Sequence, residues 1–142
     1  MTRFIILCLC ALFTANVMAQ VESVEIRSRL DPNAIIITEV DIVFIYDRDL
    51  ADSFPETKSS WYSGKFMYTR RAGDRIDIVN TFIPQGFDAV APPLPDRRDQ
   101  ALRVFVIAQH DAADTPPYEI TDMRRILVEV DPFGIRVSPQ AP

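Results

Sequence analysis

The residues best suited to chemistry in this sequence are one histidine and its acidic neighbours. His110 is the only histidine in the chain, and it follows an apolar run and precedes Asp111 and Asp114. Imidazole and carboxylate groups bind metals, but a closed metal site needs more ligands than this segment offers. The pattern therefore favours a solvated loop histidine. The alternative is a metal- or ligand-binding module, or a small enzyme, that uses His110 and the nearby aspartates.

A second group of carboxylates follows the apolar stretch VDIVFIY and comprises Asp47, Asp49 and Asp52. Two carboxylates perform acid–base chemistry when they are held at a defined separation and one pKa is raised. Charged side chains are mostly exposed. The simpler interpretation is that Asp47 and Asp49 are solvated at the point where a strand leaves the core.

Other catalytic and cofactor motifs are missing from the sequence. No G-x-S-x-G segment is present to hold a nucleophilic serine, and the four glycines form no phosphate-binding loop. Lysine and arginine total 15 against 20 acidic residues, a balance that argues against nucleic-acid binding. The sequence therefore predicts a protein that is not an enzyme and has no metal and no cofactor.

The N-terminal segment has the features of a secretory signal peptide. Arg3 precedes an apolar run, and Val17 and Ala19 are small residues placed for a cut before Gln20. We therefore expect a leader over residues 1–19, a single domain over 20–142 and a periplasmic location, with or without association with the outer membrane. No later segment is apolar enough to span a membrane.

Both cysteines of the chain, Cys8 and Cys10, lie inside the predicted leader. Leucine precedes each of them where a lipid-attachment site needs a small residue, so a lipid anchor is not expected. Cleavage would also leave the exported chain without a thiol.

The central apolar run, from about residue 35 to Tyr46, is hydrophobic on both faces of a strand and must be covered on both sides. The segment from about Lys58 to Ala72 predicts a helix, with Thr57 or Ser59 as its N-cap and Gly73 as its stop. Further predicted strands cover residues 21–30, 76–83, 102–109, 126–130 and 133–137.

Four aromatic residues share one arc of the predicted helix: Trp61, Tyr62, Phe66 and Tyr68. We expect this arc to cover one face of the central strand, while a second sheet covers the other face. The fold class is therefore predicted as all-β, a two-sheet sandwich with one added α-helix.

The order of these segments resembles the TssJ-type periplasmic proteins of type VI secretion systems. The resemblance is carried by the turn LDPN at 30–33, the stretch VDIVFIYDRDL at 40–50, the aromatic helix SSWYSGKF and the strand RVFVIAQHDAAD. It implies a transthyretin-like sandwich and an outer-membrane tether that binds the periplasmic domain of TssM, an inner-membrane protein. In that family a lipidated cysteine holds the protein in the membrane, and here this cysteine is missing.

The resemblance also implies a partner-binding site in the loop after the first strand. The matching residues of this sequence are Asp31, Pro32, Asn33 and Ala34. The function expected from the resemblance is a noncatalytic assembly component that acts through a protein–protein surface.

Overall fold

The computed structural model describes residues 17–141. Within this range the chain forms, besides two short 3₁₀ helices, two α-helices and eight strands. In chain order they are β1 (Ser23–Ser28), β2 (Thr38–Ile45), α1 (Arg48–Asp52), α2 (Lys58–Ala72), β3 (Ile76–Ile83), β4 (Ala89–Val90), β5 (Arg103–Ala108), β6 (Tyr118–Glu119), β7 (Arg125–Asp131) and β8 (Gly134–Pro139).

The strands form two four-stranded sheets that pack face to face. One sheet has the order β4-β1-β7-β8 and the other has the order β3-β2-β5-β6. All strand pairs are antiparallel except β1 and β7, which run parallel. With α2 on the outer face of the second sheet, this architecture confirms the predicted sandwich with one added helix.

Strand β2 is covered on both faces, as its two-sided apolar pattern predicts. Val40, Ile42 and Phe44 pack into the core between the two sheets. Val43 and Ile45 point the other way and pack with the residues of α2. Neighbouring strands β3 and β5 pair with it on either edge, so the strand is enclosed completely.

Helix α2 has the predicted bounds and caps. The Thr57 hydroxyl accepts the backbone N–H of Ser60 at 3.1 Å, and Gly73 ends the helix with a φ of 58°. Trp61 is fully buried, and its ring contacts those of Phe54 and Tyr68 at centroid distances of 5.3 and 5.7 Å.

The prediction was wrong for Phe66, whose side chain is 72% exposed. Phe66 lies about 140° around the helix from Trp61 at 100° per residue, which places it outside the stripe that contacts the sheet.

Two segments near β2 also differ from the sequence prediction. The strand begins at Thr38 and not at Ile35, because Ile83, the last residue of β3, pairs with Thr38 and leaves the preceding residues without a neighbouring strand. The segment after β2 forms α1, which was not predicted. Asp47 is its N-cap and accepts the N–H of Leu50 at 3.0 Å, so it starts a helix as well as meeting solvent.

Of the predicted leader, residues 1–16 lie outside the described range. Ala19 is 6% exposed, packs in the core between the sheets and donates its N–H to the carbonyl of Ala101 at 2.8 Å. A cut before Gln20 would remove these contacts. Cleavage at that bond stays a prediction.

Candidate functional site

The connection from β1 to β2 presents the four residues that the family resemblance selected. Asp31, Pro32 and Asn33 are exposed, and Ala34 is partly buried. The Asp31 carboxylate accepts the N–H of Asn33 at 2.8 Å, and the Asp31 carbonyl accepts the N–H of Ala34 at 2.8 Å. These two bonds fold the segment into a compact turn.

Two isoleucines directly after this turn face solvent. Ile35 is 84% exposed and Ile37 is 63% exposed. The sequence prediction missed them because it placed both inside β2. The run AIIIT is the signal that could have shown that Ile35 and Ile37 lie outside β2. Its three consecutive isoleucines fill both faces of a strand before any partner strand is available. Exposed branched side chains beside a rigid turn are suited to docking against a protein surface.

His110 lies at the same end of the sandwich and joins the two sheets. Its Nε2 is 2.9 Å from the carbonyl oxygen of Asp131 and 3.1 Å from that of Gly134. Because carbonyl oxygens only accept hydrogen bonds, Nε2 carries the proton. Nδ1 then accepts the hydroxyl of Thr38 at 3.1 Å. The histidine is therefore a cross-link between β2 and the β7–β8 hairpin, and the prediction of a solvated loop histidine was wrong.

Asp111 also supports this hairpin. Its side chain is buried, and Oδ1 accepts the backbone N–H of Ile135 at 2.9 Å. Burial raises the pKa of the Asp111 carboxyl, and the bond from Ile135 partly offsets that rise. Over residues 17–141 no group of three or more histidine, cysteine or acidic side chains is placed to hold a metal ion. The contacts of His110 and Asp111 are structural ones.

Replacing Gly134 by alanine should destabilise the protein. An added Cβ would lie 2.1 Å from Asp111 Oδ1, and the backbone φ of 153° is one that residues with a side chain rarely adopt. We expect a loss of about 2–3 kcal/mol in the free energy of unfolding, typical of overpacking. Urea denaturation would measure it. The control is Gly64→Ala, at a helical position where the added Cβ meets nothing within 4 Å; equal losses for the two variants would contradict the prediction.

A buried carboxylate under α2 is a feature that sequence reasoning missed. Asp41 lies in the middle of β2 and has no exposed surface. Its oxygens accept Trp61 Nε1 at 2.9 Å and Asn80 Nδ2 at 2.7 Å, and Lys65 Nζ lies 2.7 Å from Oδ2. The signal was an aspartate between Val40 and Ile42, in the apolar part of the strand. These contacts fix the helix on the sheet.

A groove of about 510 Å³ opens beside this network. Its lining residues are Glu39, Tyr62, Lys65, Phe66, Thr69 and Gln109. Lys65 bridges Glu39 at 3.4 Å and Asp41, so the charges in the groove are already paired. What remains free on its rim is the apolar ring of Phe66.

Three solved structures that resemble this chain come from type VI secretion systems. Lip from Serratia marcescens, described as a membrane-bound component of the type VI secretion system, matches with a TM-score of 0.54 and 12% identity, covering 84% of this chain and 97% of that one. The lipoprotein TssJ1 from Pseudomonas aeruginosa matches with a TM-score of 0.53 and 10% identity, over 85% of this chain and 98% of that one. The protein has a TssJ-type fold.

The TssJ-type fold is further supported by a chain described as part of a type VI membrane complex. This chain is 21% identical, with a TM-score of 0.52, and the match covers 84% of the present protein and all of the other chain. The sequence itself matches no protein-family model and no curated protein. No helix within residues 17–141 is long and apolar enough to cross a membrane.

Proposed function

We propose that this protein is a noncatalytic, periplasmic component of a type VI secretion membrane complex. The observation that carries the proposal is the TssJ-type fold, which extends over almost the full length of the solved chains. The predicted signal peptide supports a location in the envelope. A sandwich whose one histidine and buried aspartates are occupied by structural hydrogen bonds fits a role in assembly.

The partner in this proposal is the periplasmic domain of a TssM-like inner-membrane protein, bound by the loop of Asp31, Pro32, Asn33 and Ala34. The turn within this loop is held by its own hydrogen bonds, so little order has to be gained on binding. Ile35 and Ile37 extend the same surface with exposed apolar area. A stable complex needs about 1,200–2,000 Å² of buried surface, and these isoleucines would form its apolar centre.

Replacing Ile35 by aspartate should weaken this complex by about 30-fold or more, because a charge would be buried in place of an apolar side chain. The measurement is isothermal titration calorimetry with the periplasmic domain of the TssM-like protein from the same genome. The matched control is Met67→Asp, since Met67 is 66% exposed and belongs to α2, outside the loop segment. Equal affinity of wild type and the Ile35 variant, or no binding by wild type, would count against the proposal.

A further inference from the structure

The edges of the two sheets are protected to different degrees. Strands β4 and β6 are two residues long each and offer little backbone to a neighbour. Strand β8 carries Arg136 and ends at Pro139, and charge and proline both discourage pairing with another chain. Of the four sheet edges in the described part of the chain, three therefore have the devices by which sheet proteins avoid association.

Strand β3 is the edge without such protection. It extends over the eight residues Ile76–Ile83 and contains no proline and no lysine, and among the strands of residues 17–141 it pairs only with β2. Its one charged residue, Asp77, lies near one end and is bound by Arg97 at 2.9 Å. Within residues 17–141 no backbone hydrogen bond reaches the outer side of this strand. The outer edge of β3 is a template for one more strand.

An exposed aromatic side chain borders this edge. Phe82 is 61% exposed and pairs in register with Glu39. Because Glu39 contacts Lys65 of α2, the ring of Phe82 lies on the helix side of the sheet. A strand added to β3 would cover apolar surface as well as complete a backbone ladder.

We propose that a second copy of this chain pairs with the first through β3, antiparallel and centred on Asn80, to form a two-fold symmetric dimer with one continuous sheet. In this register Ile78 faces Phe82 of the second copy, Val79 faces Thr81, and Asn80 faces Asn80. Apolar Ile78 and Phe82 meet, amide meets amide, and no like charges are opposed. The strand is complementary to itself, which is why a second copy is the occupant.

The area of the dimer would come mainly from the strand pairing. A phenylalanine side chain buries roughly 150–250 Å², so the exposed part of Phe82 supplies on the order of 200–300 Å² over two copies. A stable interface needs about 1,200 Å² in total. Pairing of two eight-residue strands must supply the remainder. The dimer needs no secretion-system partner and does not depend on the proposed function.

Sedimentation velocity of the protein recovered from cells, over a range of concentrations, tests the dimer. We expect a reversible monomer–dimer equilibrium in the wild type. Phe82→Lys places a charge on the edge and should raise the dissociation constant roughly 100-fold, since one ring from each copy is lost. The matched control is Phe133→Lys, because Phe133 is 88% exposed on the hairpin of the other sheet. That variant should dimerise like the wild type.

Three results would overturn the dimer. The first is a wild-type chain that stays monomeric at a concentration of about 100 μM. The second is an equal rise of the dissociation constant of the dimer in the two lysine variants. The third is a complex that depends on β3 but forms only with another protein. The Phe82→Lys variant separates the dimer from the proposed function. It should lose the dimer but still bind the TssM-like domain, because the loop at residues 31–34 is unchanged.

The register has its own test. The single variant Asn80→Cys should form an intermolecular disulfide on mild oxidation, because Asn80 opposes its own copy in this register and directly opposed residues have Cα atoms about 4.5–5.5 Å apart. Ile78→Cys is the control, since its counterpart in the second copy would lie four residues along the strand, roughly 13 Å away. Crosslinking of both variants to the same extent would exclude pairing centred on Asn80.

Discussion

Replacing Asp41 by alanine is expected to lower the free energy of unfolding by about 3–5 kcal/mol. Asp41 is fully buried, and its carboxylate neutralises Lys65 and accepts from Trp61 and Asn80. Removing it leaves a partly buried ammonium group and two donors without an acceptor. The total stability of a domain is only about 5–15 kcal/mol, so the variant should unfold at modest urea concentrations.

Urea denaturation followed by circular dichroism measures this loss. The matched control is Glu39→Gln, which removes the other carboxylate near Lys65 on the same strand face. Glu39 is 29% exposed and lies 3.4 Å from Lys65, so this change should cost less than about 1 kcal/mol. If the two variants unfold at the same urea concentration, Asp41 does not have the structural role described.

Replacing Trp61 by alanine should cost a similar amount, about 3–5 kcal/mol, for a different reason. The side chain is completely buried between the sheet and α2, and it packs against Phe54 and Tyr68. Truncation creates a cavity and also removes the donor to Asp41. Because both variants remove that hydrogen bond, the double variant should lose less than the sum of the two.

Phe66→Ala is the control for Trp61, since both aromatic residues are on α2 but Phe66 is 72% exposed. At a protein concentration low enough to avoid association, it should change stability by no more than about 0.5 kcal/mol. A comparable loss in both variants would mean that burial of Trp61 does not set it apart from the exposed Phe66 in holding the helix on the sheet.

The helix and the main strands were predictable from local sequence because local physics determines them. Thr57 and Gly73 define the ends of α2, and the two-sided apolar pattern of β2 requires cover on both faces. The order of strands in each sheet was not predicted. The parallel pairing of β1 with β7 joins residues about a hundred positions apart, and no local pattern encodes it.

The errors at the candidate site also have physical causes. Ile35 and Ile37 look like strand residues, but whether they are buried depends on where β3 ends. His110 looks like a loop residue, yet the distant hairpin provides the carbonyl groups that bind its ring. Asp41 appears unfavourable in an apolar strand until α2 brings Trp61 and Lys65 over it. Each of these environments is formed by segments far away in sequence.

The direction of β1 has a mechanical consequence for assembly. The strand starts at Ser23, next to the buried Ala19 corner, and ends at Ser28, where the chain enters the turn with Ile35 and Ile37. Its six residues separate these two points by roughly 20 Å. A force applied to the loop by a bound protein and resisted at the N-terminus would act along the axis of β1. The hydrogen bonds between β1 and β7 would then be sheared together and not opened one at a time.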